Sequence, residues 1–339
     1  MAFVSQAGHV GIKTQAAKGS YLDPGATAPN DGVFVYIRSG ALGGNRELMV
    51  PDPEIGGTRD VPDAQLGPIS YSGEYDMYAR MESIATLLQG ALGESSTSGT
   101  AITGYTHTIT PAATVPWLSI EEKIADGFET FAYTDAKINS FHMEADANGY
   151  LTCTSGMSAL TQATATATAV GSQRNDTSPL IVGTNITVEW GNVALPAKSF
   201  SLDIANNIED DDFRLGSLFL GNLTEKRREI TMSVTIRPDD ATLWKTAMWG
   251  GPAETEPLGQ SLKSNVDITI TSYEEIPGVS GGEKYSLTVT IPAAIIAPFS
   301  VDPSGDDVME HDIEIRCVQP DPAIDIISID VVNSYETIA

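Results

Sequence analysis

Basic side chains are scarce in this chain. Lys and Arg total 19 against 45 Asp and Glu in 339 residues, a formal charge of −26. Sequence-specific nucleic-acid binding needs cations to neutralise phosphates, so the balance speaks against that class. Any surface such a chain encloses repels polyanions. Cysteine is scarcer still: Cys153 and Cys317 are too few for a disulfide framework and point to a reducing compartment. They fall 164 positions apart, each near the end of a late strand, and read as equivalent apolar core positions. Residues 1–20 hold no apolar export segment, and no run approaches the roughly 18 apolar residues that span a bilayer, so synthesis in the cytoplasm is expected.

Signatures of catalysis and metal binding are lacking too. His9, His107, His142 and His311 show neither HxxxH nor HxH spacing, and neither cysteine sits in a nucleophile motif. In the glycine-rich stretch 278–284, Lys284 follows Glu283 instead of Gly and no helix follows, so it reads as a hairpin turn and not a phosphate loop. Asp210, Asp211 and Asp212, and the later group Asp302, Asp306 and Asp307, lack the calcium-loop spacing with its closing Glu. No enzyme, no cofactor and no metal is therefore expected.

What is present is a repeat. Tyr75, Met77 and Ala79 alternate as a half-buried strand, and so do Met232, Val234 and Ile236, 157 positions on. Each strand turns through an acidic corner, Arg80 and Glu82 or Arg237 and Asp239, into a short helix. The helix hearts contain Leu87, Leu88 and Leu92 in one copy and Leu243, Trp244 and Met248 in the other, with Leu87 to Leu243 spanning 156 positions. A strand of period two followed by a helix of period near 3.6, said twice, signals a duplicated domain. A helix of about three turns is unstable alone in water, so those six residues are expected to form a helix–sheet seam. The boundary is placed where Thr/Ala alternation gives way to polar turn formers, giving domains 1–175 and 176–339. The expected fold is mainly β: two duplicated barrels or sandwiches, each with one flanking helix.

Along the chain, residues 1–29 read as an extended arm that orders only against something else. A strand is expected at 33–37, then a long Gly/Pro-punctuated loop over 39–67 that includes Pro51, Glu54, Arg59 and Asp60. The Ser/Thr/Gly stretch 94–104 reads as a loop, followed by strands at 105–111, 116–121, 131–133, 136–144 and 150–154. In the second half Val188 and Trp190 are matched to Val35 and Ile37, and a second long loop over 206–221 carries Glu209, Asp210, Asp211, Asp212 and Arg214. Strands follow at 266–270, 285–291, 295–301 and 312–318. Residues 321–339 form an apolar, acidic tail whose Ile324, Ile326 and Ile327 must dock to be hidden.

The order of these signals resembles the tail tube (major tail) proteins of long, non-contractile-tailed bacteriophages (siphophages). The resemblance rests on GIKTQAAKGS at 11–20, Gly56-Gly57-Thr58-Arg59, LLQGALG at 87–93, His107-Thr108-Ile109-Thr110-Pro111, WLSIEE at 117–122 and YTDAKINS at 133–140. It implies subunits joined side by side into a ring around a channel, with rings stacking into a tube. Where most members use six single-domain subunits, a two-domain chain resembles the variant in which three chains give a pseudo-sixfold ring. Six chains with the second domain outside is the alternative, and another self-assembling β protein, a capsid decoration or surface-layer module, is the other. The implied partners are further copies of the chain, a tape measure protein, a tail terminator, distal tail proteins and DNA in passing, within a virion tail built in the host cytoplasm. Two functional sets are expected. The loops holding Pro51 to Asp60 and Glu209 to Arg214 serve ring stacking, and Glu121, Lys123, Asp267, Thr269, Asp312 and Glu314 face the channel.

Overall fold

Alternation of apolar and polar residues carries most of this chain into strands, and the computed structural model describes residues 5–26, 32–61, 63–300 and 309–338. In order the strands are β1 (His9–Thr14), β2 (Val33–Val35), β3 (Ile37–Met49), β4 (Gln65–Tyr78), β5 (Gly93–Thr100), β6 (Gly104–Pro111), β7 (Leu118–Lys123), β8 (Thr130–Asp146) and β9 (Thr152–Ala165). They continue with β10 (Ile186–Trp190), β11 (Val193–Ala194), β12 (Ala197–Ala205), β13 (Glu229–Ile236), β14 (Ser264–Glu275), β15 (Lys284–Ile296), β16 (His311–Cys317) and β17 (Ser328–Asn333). Helix α1 (Ile84–Leu92) follows β4 and α2 (Thr242–Trp249) follows β13. The fold is mainly β, with every strand joined in one hydrogen-bonded network.

One pairing pattern occurs twice, antiparallel throughout. β1 pairs with β2 and β7, β7 with β8, β8 with β9, β9 with β4 and β4 with β3. β10 likewise pairs with β11 and β14, β14 with β15, β15 with β16, β16 with β13 and β13 with β12. β17 completes the match, because Ser286 faces Val332 as Thr130 faces Ala165. The long β9 of the first half is thus answered by two strands, β16 and β17.

Several sequence expectations change. The arm 1–29 contains β1, whose Val10 and Ile12 are buried between β2 and β7. The short strand was hidden by small flanking residues. β10 pairs as β1 does, so the match of Val188 and Trp190 to Val35 and Ile37 is replaced by one to β1. The stretch 39–67 is no loop: β3 and β4 form a long hairpin, and Gly and Pro concentrate at its tip, 50–64. Residues 94–100 form β5 on the edge of β6. The two strands expected between 131 and 144 are one, β8, and β15 covers 285–291 and ends at Ile296. Residues 301–308, with Asp302, Asp306 and Asp307, lie outside the described residues. The tail supplies β17, where Ile329 is fully buried, as is Ile327 just before it, while Ile324 stays exposed. Met77 faces Cys153 whereas Val234 faces Ile313, so the positional match of Cys153 is Ile313; Cys317 is only half-buried.

The two helices differ. Every residue of α1 except Gln89 is buried, and a Cβ at Gly90 would lie 2.7 Å from the Ile138 side chain, so α1 sits hard against β8. A helix apolar all round needs cover on all sides. Part of that cover is the segment leading to β10: Asp176 Oδ2 accepts from the Ser83 amide at 2.6 Å at the start of α1, and Ser178 Oγ accepts from the Met81 amide at 2.9 Å. In α2 only Thr246 is buried.

Candidate functional site: a polar strand face and a protruding hairpin

Where the two patterns meet, β12 of the second pairs with β8 of the first, from Ser199 opposite Asp146 to Ala205 opposite Ser140. The junction makes one ribbon of eight strands in the order β3, β4, β9, β8, β12, β13, β16, β15. Successive side chains of a strand point to opposite faces. One face holds Tyr75, Met77, Phe141, Met143, Leu202, Ile204, Met232, Val234, Ile313 and Ile315, all buried. The other holds Glu74, Asp76, Glu144, Asp146, Asp203, Asp312 and Glu314, interspersed with Ser199, Ser201, Ser233, Thr152, Thr154, Thr231 and Thr235. Cations on it are few: Arg38 lies 3.5 Å from Asp76, and Arg316 donates to Glu314 at 2.9 Å.

His142 ties the junction across this face. Its Nδ1 lies 2.6 Å from Asp203 Oδ1 on β12, and its Nε2 lies 3.4 Å from Glu144. Burial opposes the imidazolium, but the two carboxylates outweigh it and hold the His142 pKa above its usual value. A second tie lies at His107, fully buried on β6, whose Nδ1 accepts from the Thr97 hydroxyl at 2.9 Å. Its Nε2 lies 2.9 Å from the Tyr335 carbonyl beyond β17, and β17 itself pairs with β6.

The β3–β4 hairpin projects from one end of the ribbon. Leu48, Met49, Val50, Ile55, Val61 and Leu66 are exposed on its outer half, an apolar patch of the kind that marks an interaction surface. Pro51, Glu54, Arg59 and Asp60 are exposed at the tip. The second loop does not project in the same way. Ile208, Leu220 and Leu223 are buried with Val115 and Leu160, and the Ile69 amide donates to Leu218 O at 2.9 Å, so the loop lies against β4. Glu209, Asp210, Asp211, Asp212 and Arg214 remain on its surface, with Arg214 paired to Asp212 at 2.7 Å. Both sets expected for stacking are therefore brought to one side of the ribbon.

The expected channel residues divide. Asp312 and Glu314 lie on the polar face. Glu121 does not: it is buried, accepting from the Thr168 amide at 2.8 Å and hydroxyl at 2.7 Å and lying 2.6 Å from His9. Burial pushes its carboxyl up, but these hydrogen bonds more than offset it and hold the pKa low. Lys123 pairs with Asp126 at the end of the same strand. β7 is covered on both faces, so alternation there does not separate wall from core. Asp267, bonded to Asn265 at 2.7 Å, and Thr269 sit on β14, outside the ribbon. The seam also divides: Leu87, Leu88 and Leu92 are buried, Leu243 and Trp244 are half-buried, and Met248 is exposed. α2 docks through Leu243, Thr246 and Ala247 and turns Met248 outward. Sequence reasoning missed Glu74, Asp76, His142, Glu144 and Asp203, although the alternation of 140–146 carried the signal.

The family described as Phage tail tube protein matches residues 5–316. The chain belongs to that family. None of the curated proteins searched matches the chain. Members of the phage tail tube family are structural components of the virion tail, and membership implies self-assembly into a tube. Among the described residues no helix is long and apolar enough to cross a membrane.

Proposed function

We propose that three copies of this chain close a ring of six like units, that rings stack through the β3–β4 hairpin, and that the polar face of the eight-strand ribbon lines a channel that passes DNA. The observation that carries this reading is the β8–β12 junction. The ribbon it creates ends in the counterparts of the two strands that meet there: β3, the match of β12, at one end, and the end of β15, the match of β8, at the other. Among the described residues β3 pairs only with β4, and β15 has no partner beyond Ala294 on its β14 side. Unpaired strand edges template further pairing, and a heterologous contact that closes makes a ring. β3 of one copy then pairs with residues 296–300 of the next, as β12 pairs with β8.

The domains are 1–175 and 176–339, each supplying one unit. A wall rich in carboxylates and hydroxyls repels phosphates close by, since screening at physiological salt acts over about 8 Å. DNA moves along it unattached. Partners at the tube ends and inside it are the terminator, distal tail and tape measure proteins, in a siphophage tail built in the host cytoplasm. Top-view averages of negatively stained particles test the arrangement. Three chains per ring with six similar lobes are expected; six chains per ring with outer lobes overturn it.

A further inference from the structure

Among the described residues an open groove of about 400 Å³ lies beside α2, lined by Ile236, Leu243, Trp244, Phe299, Met309 and His311. Its counterpart beside α1 is closed. Ala79 and Leu88 match Ile236 and Trp244, 157 and 156 positions on, and the strand register puts Leu151 in the place of His311. There the Ala79 amide donates to Leu151 O at 3.1 Å, and the Leu151 amide donates to Ile181 O at 2.9 Å. Arg80 donates to Ser178 O, and Asp176 and Ser178 bind the amides at the start of α1. The cover is therefore the segment leading into β10. Beneath it Met81, Ile84, Leu87 and Leu88 are buried, whereas Leu243 and Trp244 are half-exposed.

Strand register identifies what the missing cover is. Ile12 of β1 faces Ile120 as Val188 of β10 faces Ile268, so β1 stands where β10 does. Each strand is preceded by a single 3-10 turn, Ser5–Ala7 or Gly183–Asn185. The residues ahead of the first turn, Met1-Ala2-Phe3-Val4, thus match those ahead of the second, which include Leu180 and the buried Ile181. Within one chain β10 follows the first half. Only a second copy brings β1 to the same place beside the second half. A further sign is His311 Nε2, shielded from solvent and without a hydrogen-bond partner among the described residues. A buried polar atom left unpaired is costly.

We propose that residues 1–7 of a second copy fill this groove, with Phe3 and Val4 taking over α2 the places that Ile181 and Val182 hold beside α1. The inference rests on the reading that the second half of one copy meets the first half of the next. Its test uses the full chain carrying Phe3→p-benzoylphenylalanine, a photoreactive aromatic of similar character. Irradiating assembled particles is expected to give covalent dimers, with the adduct mapped by mass spectrometry to peptides holding Leu243 and Trp244 or Met309. Dilute, unassembled chain is expected to stay monomeric. Rings or tubes that form without that adduct, or with one inside the same chain, overturn the inference and leave the ring reading standing. Should the substituted chain alone not assemble, one part in ten co-assembled with unmodified chain carries the probe into particles, and absence of the adduct there overturns it equally. Unmodified chain that forms no ring or tube in electron micrographs overturns both.

Discussion

Glu122 offers a sharp test of the packing around β1, β7 and β8. It sits on β7 opposite Val10 and Phe131, is 2 % exposed, and its Oε2 has no partner among the described residues. Burial pushes its carboxyl up to about 7 from an ordinary 4.5, against a smaller opposing pull from the Tyr133 hydroxyl. Because the folded-state value lies above the unfolded one, the stability Glu122 contributes is complete below pH 4.5 and is lost as pH rises through about 7. At 1.36 kcal/mol per pH unit the full loss is about 3 kcal/mol, of which about 1 kcal/mol has already occurred by about pH 5.5. Glu122→Gln keeps the shape and removes the titration. In urea unfolding of the unassembled chain, the variant is expected to gain about 2 kcal/mol on the parent between about pH 5.5 and about pH 8.5. Comparing the two proteins cancels the pH dependence of the other carboxylates. A gap that stays constant over that range refutes the claim that a protonated acid is buried there.

Other outcomes follow from the fold. Deleting residues 51–64 is expected to leave a folded monomer by circular dichroism yet prevent tube growth in electron micrographs; tubes of normal length remove the hairpin from ring stacking. Leu88→Asp is expected to cost about 3–5 kcal/mol and open the first half to proteolysis, because it buries an unpaired charge. Trp244→Asp in the unassembled chain is expected to cost only about 1 kcal/mol, since its ring is half-exposed; equal losses by chemical denaturation contradict the difference between the helices. Gly40 holds φ +112°, and a Cβ there would overlap the Glu74 carbonyl oxygen. Gly40→Ala is expected to lower stability by about 1–3 kcal/mol, and an unchanged thermal midpoint argues against the kink at the base of the hairpin.

The sequence made the repeated strand–helix unit legible because a change from period two to period 3.6 needs buried side chains on one face, and Tyr75, Met77, Leu87 and Leu88 supply them. Strands without a buried face left no such trace. β5 reads GESSTSGT and among the described residues pairs only along the edge of β6, and the outer half of β3 is exposed on both sides. β1 was hidden for another reason: it offers only two apolar residues, Val10 and Ile12, between small flanking ones such as Ala7, Gly8, Ala16 and Ala17, while Gly11 lets the Phe34 ring pack close. Alternation marked Glu121 and Glu144 alike as polar. What separates them is tertiary: the segment through Thr168 covers one, and the other lies on the open face. Likewise Trp244 and Leu88 hold matching places, and only the neighbouring chain segment makes one core and the other surface.

The β8–β12 junction also bears on miscounting. Because the proposed ring takes two tethered units from each molecule, its count is always even. Five or seven units cannot arise by adding or dropping one, and the smallest slip from six is to four or eight. Each slip of that size changes the circumference by a third, far more than strand pairing tolerates unnoticed, so in that ring bore width is guarded by connectivity before any contact between molecules is tested.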